Sequence, residues 1–121
     1  MACLPVHKFT FSRKERLKKS GQFTRILRGG RRIRGRFLSV AYSTASQPVS
    51  RVGITVPKRI LRKAHERNKM KRWVREIWRL EKGRIKQPVE VVIQMREKPE
   101  KLNYHIVREE ALSLLEKAGI L

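Results

Sequence analysis

"KAHERNKMKRWVREIWR" spans residues 63–79 and carries seven Lys or Arg, two Glu and two Trp in seventeen positions. At about 100° per residue the run separates into two faces. Met70, Trp73, Val74, Ile77 and Leu80 form one stripe. Asn68, Arg72, Arg75 and Arg79 form the opposite one, with Lys71 at its edge and Arg67 and Lys69 on its flanks. The pattern predicts an amphipathic helix from about Ala64 to Lys82, stopped by Gly83. Trp73 is expected in the core, and Trp78 on the boundary between the faces. A solvated charged surface is the usual fate of such a stripe, so the flanking sequence must separate that outcome from a binding surface.

On the N-terminal side, "RVGITVPK" (51–58) alternates Val52, Ile54 and Val56 as a strand does, and Pro57 ends it because proline cannot donate to a ladder. On the C-terminal side, "PVEVVIQMR" (88–96) places Val89, Val91, Ile93 and Met95 on one face. Val92 keeps the other face partly apolar, as in an interior strand. A strand, a long helix and a strand make a crossover, which implies a parallel pair. Further out, "SGQFTRILRGG" (20–30) reads as a short helix capped by Ser20, with Phe23, Ile26 and Leu27 apolar and Gly29-Gly30 as its stop. A short strand is expected near 31–35. "RFLSVAYST" (36–44) follows as a strand, with Leu38, Val40 and Tyr42 opposite Phe37, Ser39 and Ala41. Asn103 caps a closing helix with Ile106, Val107, Ala111, Leu114, Leu115 and Ala118 inward. The expected fold is α+β, a two-layer α-β sandwich in the order α-β-β-(β)-α-β-α. It is one domain over residues 1–121, with residues 1–15 as a mobile basic arm.

The 121 residues carry a formal net charge of +21, and the excess is uneven. Residues 1–36 hold 12 Lys and Arg against Glu15, and residues 58–79 hold ten against Glu66 and Glu76. Residues 80–121 hold eight against seven acids, so the last third is nearly balanced. One basic surface and one ordinary surface explain this better than general solubility does, and a polyanion is the partner that relieves the repulsion. Cys3 is the only cysteine, which excludes a disulfide framework and fits a reducing cytoplasm. No apolar run approaches 18 residues, and "MACLPVHKF" lacks the apolar core of a signal peptide. The chain is therefore expected in the cytoplasm and away from membranes.

The sequence argues against a catalyst working alone. His7, His65 and His105 have no ligand-type spacing, seven of the ten carboxylates follow residue 80, and no phosphate-binding glycine loop occurs. The strong signal is "KRILRKAHERNKMKR" (58–72). Lys58, Arg59, Arg62 and Lys63 leave the strand end, His65 sits at the helix start, and Asn68 offers an amide inside the cationic face. Helix N-terminal N–H groups add their own attraction for phosphate. DNA recognition usually needs a helix-turn-helix frame or a dimer, whereas RNA read by shape and stacking suits a sheet with a helix. An RNA-binding protein of ribosomal type, or a DNA-binding regulator, would carry similar charge.

From about Arg16 to the C-terminus the sequence resembles the protein subunit of bacterial ribonuclease P. The most specific part is "RVGITVPKR" with "AHERNKMKR", where the family's Arg-Asn-Arg followed by a basic pair stands as Arg67-Asn68-Lys69 and then Lys71-Arg72. Lysine at 69 and leucine at 27 depart from the arginine and the aromatic usual there. The resemblance implies a left-handed β-α-β crossover. It also implies a ribonucleoprotein that removes the 5′ leader from precursor tRNA, leaving a 5′-phosphate, with the catalytic site and Mg²⁺ ions supplied by the RNA subunit. By that resemblance Lys58, Arg59, Arg62, Lys63, His65, Arg67, Asn68, Lys69, Lys71, Arg72 and Arg75 would bind RNA. Phe23, Leu38, Val40 and Lys58 would line a leader cleft between the sheet and the first helix. The partners implied are the RNA subunit and precursor tRNA; no DNA is expected.

Overall fold

In the computed structural model the described residues are Arg16, 20–45 and 49–121, and the arm expected over 1–15 lies outside them. Switches in hydrophobic period set the order of elements. A short helix α1 (Ser20–Gly29) leads into β1 (Arg31–Arg34), β2 (Leu38–Thr44) and β3 (Arg51–Thr55). The long helix α2 (Ala64–Glu81) and a 3₁₀ turn (Lys82–Arg84) then precede β4 (Val89–Met95) and α3 (Tyr104–Lys117). The short strand expected near 31–35 is present as β1.

The strands form one sheet in the order β1-β2-β4-β3. β1 and β4 run antiparallel to β2, and β3 pairs parallel with β4, as the α2 crossover requires. Val52, Val91 and Tyr42 lie in register, as do Ile54, Ile93 and Val40, so every second residue of three strands shares one face. Met70, Val74, Ile77 and Trp78 of α2 and Val107, Ala111, Leu114 and Leu115 of α3 close over that face as the main core. Both edges of the sheet are accounted for among the described residues. β1 is one edge, with Arg31, Arg32 and Arg34 exposed, and Arg16 bridges Val52 in parallel along β3 on the other.

Helix α1 sits on the opposite face, where Ile26 packs on Ala41 and Val92 with Phe23 and Leu27 beside it. An ion pair from Arg25 to the buried Glu90 carboxylate, 2.5 Å, ties the helix down. Its end is set by close approach. A Cβ on Gly30 would lie 2.5 Å from the Tyr42 carbonyl oxygen and 2.6 Å from that of Ile26. Gly30→Ala is therefore expected to destabilise the protein by more than about 1 kcal/mol, measured by denaturant titration.

Two local anchors hold the ends of the core. Asn103 Oδ1 accepts the Ile106 N–H at 3.0 Å, capping α3 as its sequence position predicted. Glu110 Oε2 accepts the N–H groups of Phe37 and Leu38, which fastens the start of β2 to α3.

The tryptophans exchange their expected places. Trp78 is 2% exposed, whereas Trp73 is half-buried with its ring edge-on to Tyr104 at 6.4 Å. Leu80, placed on the apolar stripe, is 40% exposed. The buried arc is 70, 74, 77 and 78, because α2 must face the sheet as well as α3.

Candidate nucleic-acid interface

The connection from β3 to α2 is a built loop. The Pro57 carbonyl accepts the N–H groups of Ile60 (3.0 Å) and Leu61 (3.2 Å), and Leu61 is buried in the main core. Arg67, one turn into α2, donates from Nη1 to the carbonyls of Leu61 and Arg62, each at 2.9 Å. Lys58, Arg59, Arg62 and Lys63 are left exposed around this frame. His65, Asn68 and Arg72 are exposed on the outer face of α2, and Lys71 and Arg75 are half-buried on the flank toward β3. Eleven candidates from the basic segment thus fall on one end of the molecule and along one helix, but two of them are already engaged. Arg67 holds the loop, and Lys69 carries its ammonium 5.5 Å from the centre of the Trp73 ring, on the α3 side of the helix.

Internal pairing removes other charges from this surface. Arg79 donates to Glu76 at 3.0 and 2.6 Å, and this hydrogen bonding holds the Glu76 carboxyl below its ordinary range. Arg84 pairs with Glu81 and Glu116, and Arg108 with Glu81, at the far end of α2.

Helix α1 covers only the half of its sheet face nearer Glu90. At the other half the paired Ser39 and Gln94 form the floor of a hollow of about 300 Å³. Arg32, Arg34, Arg59 and Arg96 line it, with Glu97 as the one acid. The Thr55 hydroxyl, opposite Gln94 in the ladder, is buried without a hydrogen-bond partner. A second hollow of about 340 Å³ lies on the β3 side of α1, between Phe23, Gly53, Arg16, Lys71 and Arg75. Burial first, and the neighbouring Arg16 charge second, push the Arg75 guanidinium below its ordinary value.

The leader-cleft candidates need correction. Leu38 and Val40 are both 0% exposed and face α2 and α3, so they cannot line a cleft beside α1. One residue of register separates the faces, and Ser39 and Ala41 are the β2 residues on the α1 side. Phe23 lines the second hollow, and Lys58 lies in the turn next to Arg59. Arg32, Arg34, Ser39, Gln94 and Arg96 were not among the candidates. Their only sequence signal is alternation, which sets Arg32 and Arg34 on one side of β1.

The chemistry available is that of anion binding, through guanidinium groups with a hydroxyl and an amide beneath them and an aromatic wall nearby. Among the described residues no group of three or more His, Cys, Asp and Glu could hold a metal ion. No helix there is long and apolar enough to cross a membrane.

Residues 11–119 match the family model described as Ribonuclease P. The ribonuclease P protein component of Dictyoglomus turgidum is 38% identical over 115 residues, covering 93% of this chain and 96% of its own. That of Thermotoga maritima is 37% identical over 112 residues, covering 89% and 95%. Among solved structures, the RNase P protein from Thermotoga maritima superposes with a TM-score of 0.75 at 36% identity, covering 85% of this chain and 96% of that one. The RNase P protein of Staphylococcus aureus superposes with a TM-score of 0.80 at 25% identity, covering 88% and 96%.

Proposed function

The chain belongs to the ribonuclease P protein family, the protein part of the ribonucleoprotein that removes the 5′ leader of precursor tRNA, and from that premise we propose how its basic surfaces share the work. The connection over 58–63 and the outer face of α2 meet the RNA subunit. The leader crosses the open half of the sheet face beside α1. The observation that carries this division is the hollow over Ser39 and Gln94, where four guanidinium groups surround a polar floor within reach of the same connection. A single strand needs cations along its backbone and a surface that tolerates any base, and this hollow with the Phe23 wall beyond α1 offers both.

In this reading the RNA subunit performs the hydrolysis and holds the Mg²⁺ ions, and the protein orients precursor tRNA for it. The assembly acts in the cytoplasm, with no role for DNA. Phosphodiester cleavage needs a base or metal-activated nucleophile and a stabilised leaving oxygen. Among the described residues no group of three or more His, Cys, Asp and Glu could hold metal ions for this step.

The test of the cleft compares reconstituted holoenzymes. Arg34→Ala and Arg96→Ala should each lower the affinity for precursor tRNA by about 1–3 kcal/mol, if each guanidinium makes one charged hydrogen bond to the leader. Affinity for mature tRNA, which lacks a leader, should stay the same. Equal losses on both ligands would remove the hollow from the leader path. A companion measurement concerns the protein without RNA, which should cleave neither precursor tRNA nor a leader oligonucleotide at any pH. Cleavage by RNA-free protein that a single His or carboxylate substitution abolishes would overturn the division of labour.

A further inference from the structure

The connection between β3 and α2 carries exposed Lys58, Arg59, Arg62 and Lys63 within six residues, and Arg67 follows one helical turn later. Like charges so close would splay a flexible loop. This one is held in one shape by three devices. Pro57 accepts two backbone N–H groups at one end, Leu61 is 1% exposed in the core at the middle, and Arg67 Nη1 bridges the carbonyls of Leu61 and Arg62 at the far end. A terminal guanidinium nitrogen has two N–H groups in a fixed plane, so Nη1 can serve two successive carbonyls at once. An ammonium on a flexible stem lacks that planar fork.

The structure assigns Arg67 a positioning role, in which its guanidinium pins the connection so that Lys58, Arg59, Arg62 and Lys63 meet the RNA as a preformed cationic rim. Arg67 reaches the RNA through them. The assignment rests on the reading that the connection contacts the RNA subunit. It differs from a direct phosphate contact in a definite way, because geometry at position 67 matters and charge alone does not. Preordering the rim removes an entropic cost from association, so loss of the pin weakens binding without removing any contact.

The test uses the full chain and the RNA subunit of a bacterial ribonuclease P. Binding titrations compare Arg67→Lys and Arg67→Ala, each in the native protein and in a background with Lys58, Arg59, Arg62 and Lys63 all changed to Ala. Hydrogen exchange follows the amides of residues 60–63 in the free protein. The pin predicts that Arg67→Lys loses affinity almost as fully as Arg67→Ala, on the order of tenfold. It predicts no further loss at position 67 in the background lacking the rim, since the two changes act through one element. Exchange at 60–63 should quicken in both Arg67 variants while the strands stay protected. Near-native affinity of Arg67→Lys, or a full loss at position 67 in the rimless background, would show a direct contact and overturn the assignment. Native exchange at 60–63 in Arg67→Ala would overturn the pin itself. Native affinity of the rimless protein would instead overturn the reading that the connection meets RNA. Should Arg67→Ala lose its fold, the Arg67→Lys pair decides the matter alone.

Discussion

Affinity for the RNA subunit is expected to fall by roughly 10³–10⁵ between about 50 and 200 mM monovalent salt, as for a surface that neutralises about 6–10 phosphates. The estimate follows from the cations left over after internal pairing. Arg25, Arg79, Arg84 and Arg108 are engaged with carboxylates, and Lys69 leans on Trp73. Lys58, Arg59, Arg62, Lys63, Lys71, Arg72 and Arg75 remain on the connection and the outer helix. Each one that meets a phosphate releases condensed counterions, so the slope of log K against log salt counts the contacts. Duplex-like counterion release is the upper case, and single-stranded segments give a shallower slope. Titration by filter binding at five or six salt concentrations supplies the slope. A flat plot would mean that this surface is not the one that meets RNA.

Trp78→Ala is expected to cost about 3–5 kcal/mol, a large share of the roughly 5–15 kcal/mol that holds a small domain together. The ring is buried among α2, α3 and the sheet, and its removal leaves a cavity under the helix. Arg72→Ala should behave in the opposite way. Its side chain is exposed on the outer face, so stability should change by about 0.5 kcal/mol or less while RNA binding weakens by about 1–3 kcal/mol. A denaturant melt beside a binding titration separates the two. If Arg72→Ala unfolds the protein while Trp78→Ala folds normally and fails to bind, the two faces of α2 are inverted.

The crossover was legible because the hydrophobic period changes twice between residues 51 and 95, from two to 3.6 and back. Asn103 was legible because a cap is local chemistry. Trp73 and Trp78 were not, because a helical wheel orders residues by angle without saying where the buried arc is centred. The sheet and α3 together turn that centre toward Trp78. Leu38 and Val40 were assigned to the correct strand face, but which helices cover that face depends on topology, and α1 went to the other side. The two hydrogen bonds that Arg67 donates to the carbonyls of its own loop leave no trace in composition or spacing, since any arginine in the first helical turns would look the same. The hollow over Ser39 and Gln94 was hidden for a related reason. Its arginines come from β1, the turn after β3 and the end of β4, and only the strand order brings them together.

The guarded rims of the sheet bear on how the protein behaves before it meets RNA. A strand with one side unpaired is a template for another chain, and many proteins aggregate through such rims. Here one rim displays Arg31, Arg32 and Arg34, and the other is paired at Val52 by Arg16. Two copies approaching through β1 would align arginine against arginine, at a cost that rises as salt falls. The charge that draws the protein to RNA thus also keeps newly made copies apart. Replacing those three arginines with neutral β-formers would leave a rim able to recruit further chains, and the resulting loss of solubility would precede any loss of RNA binding.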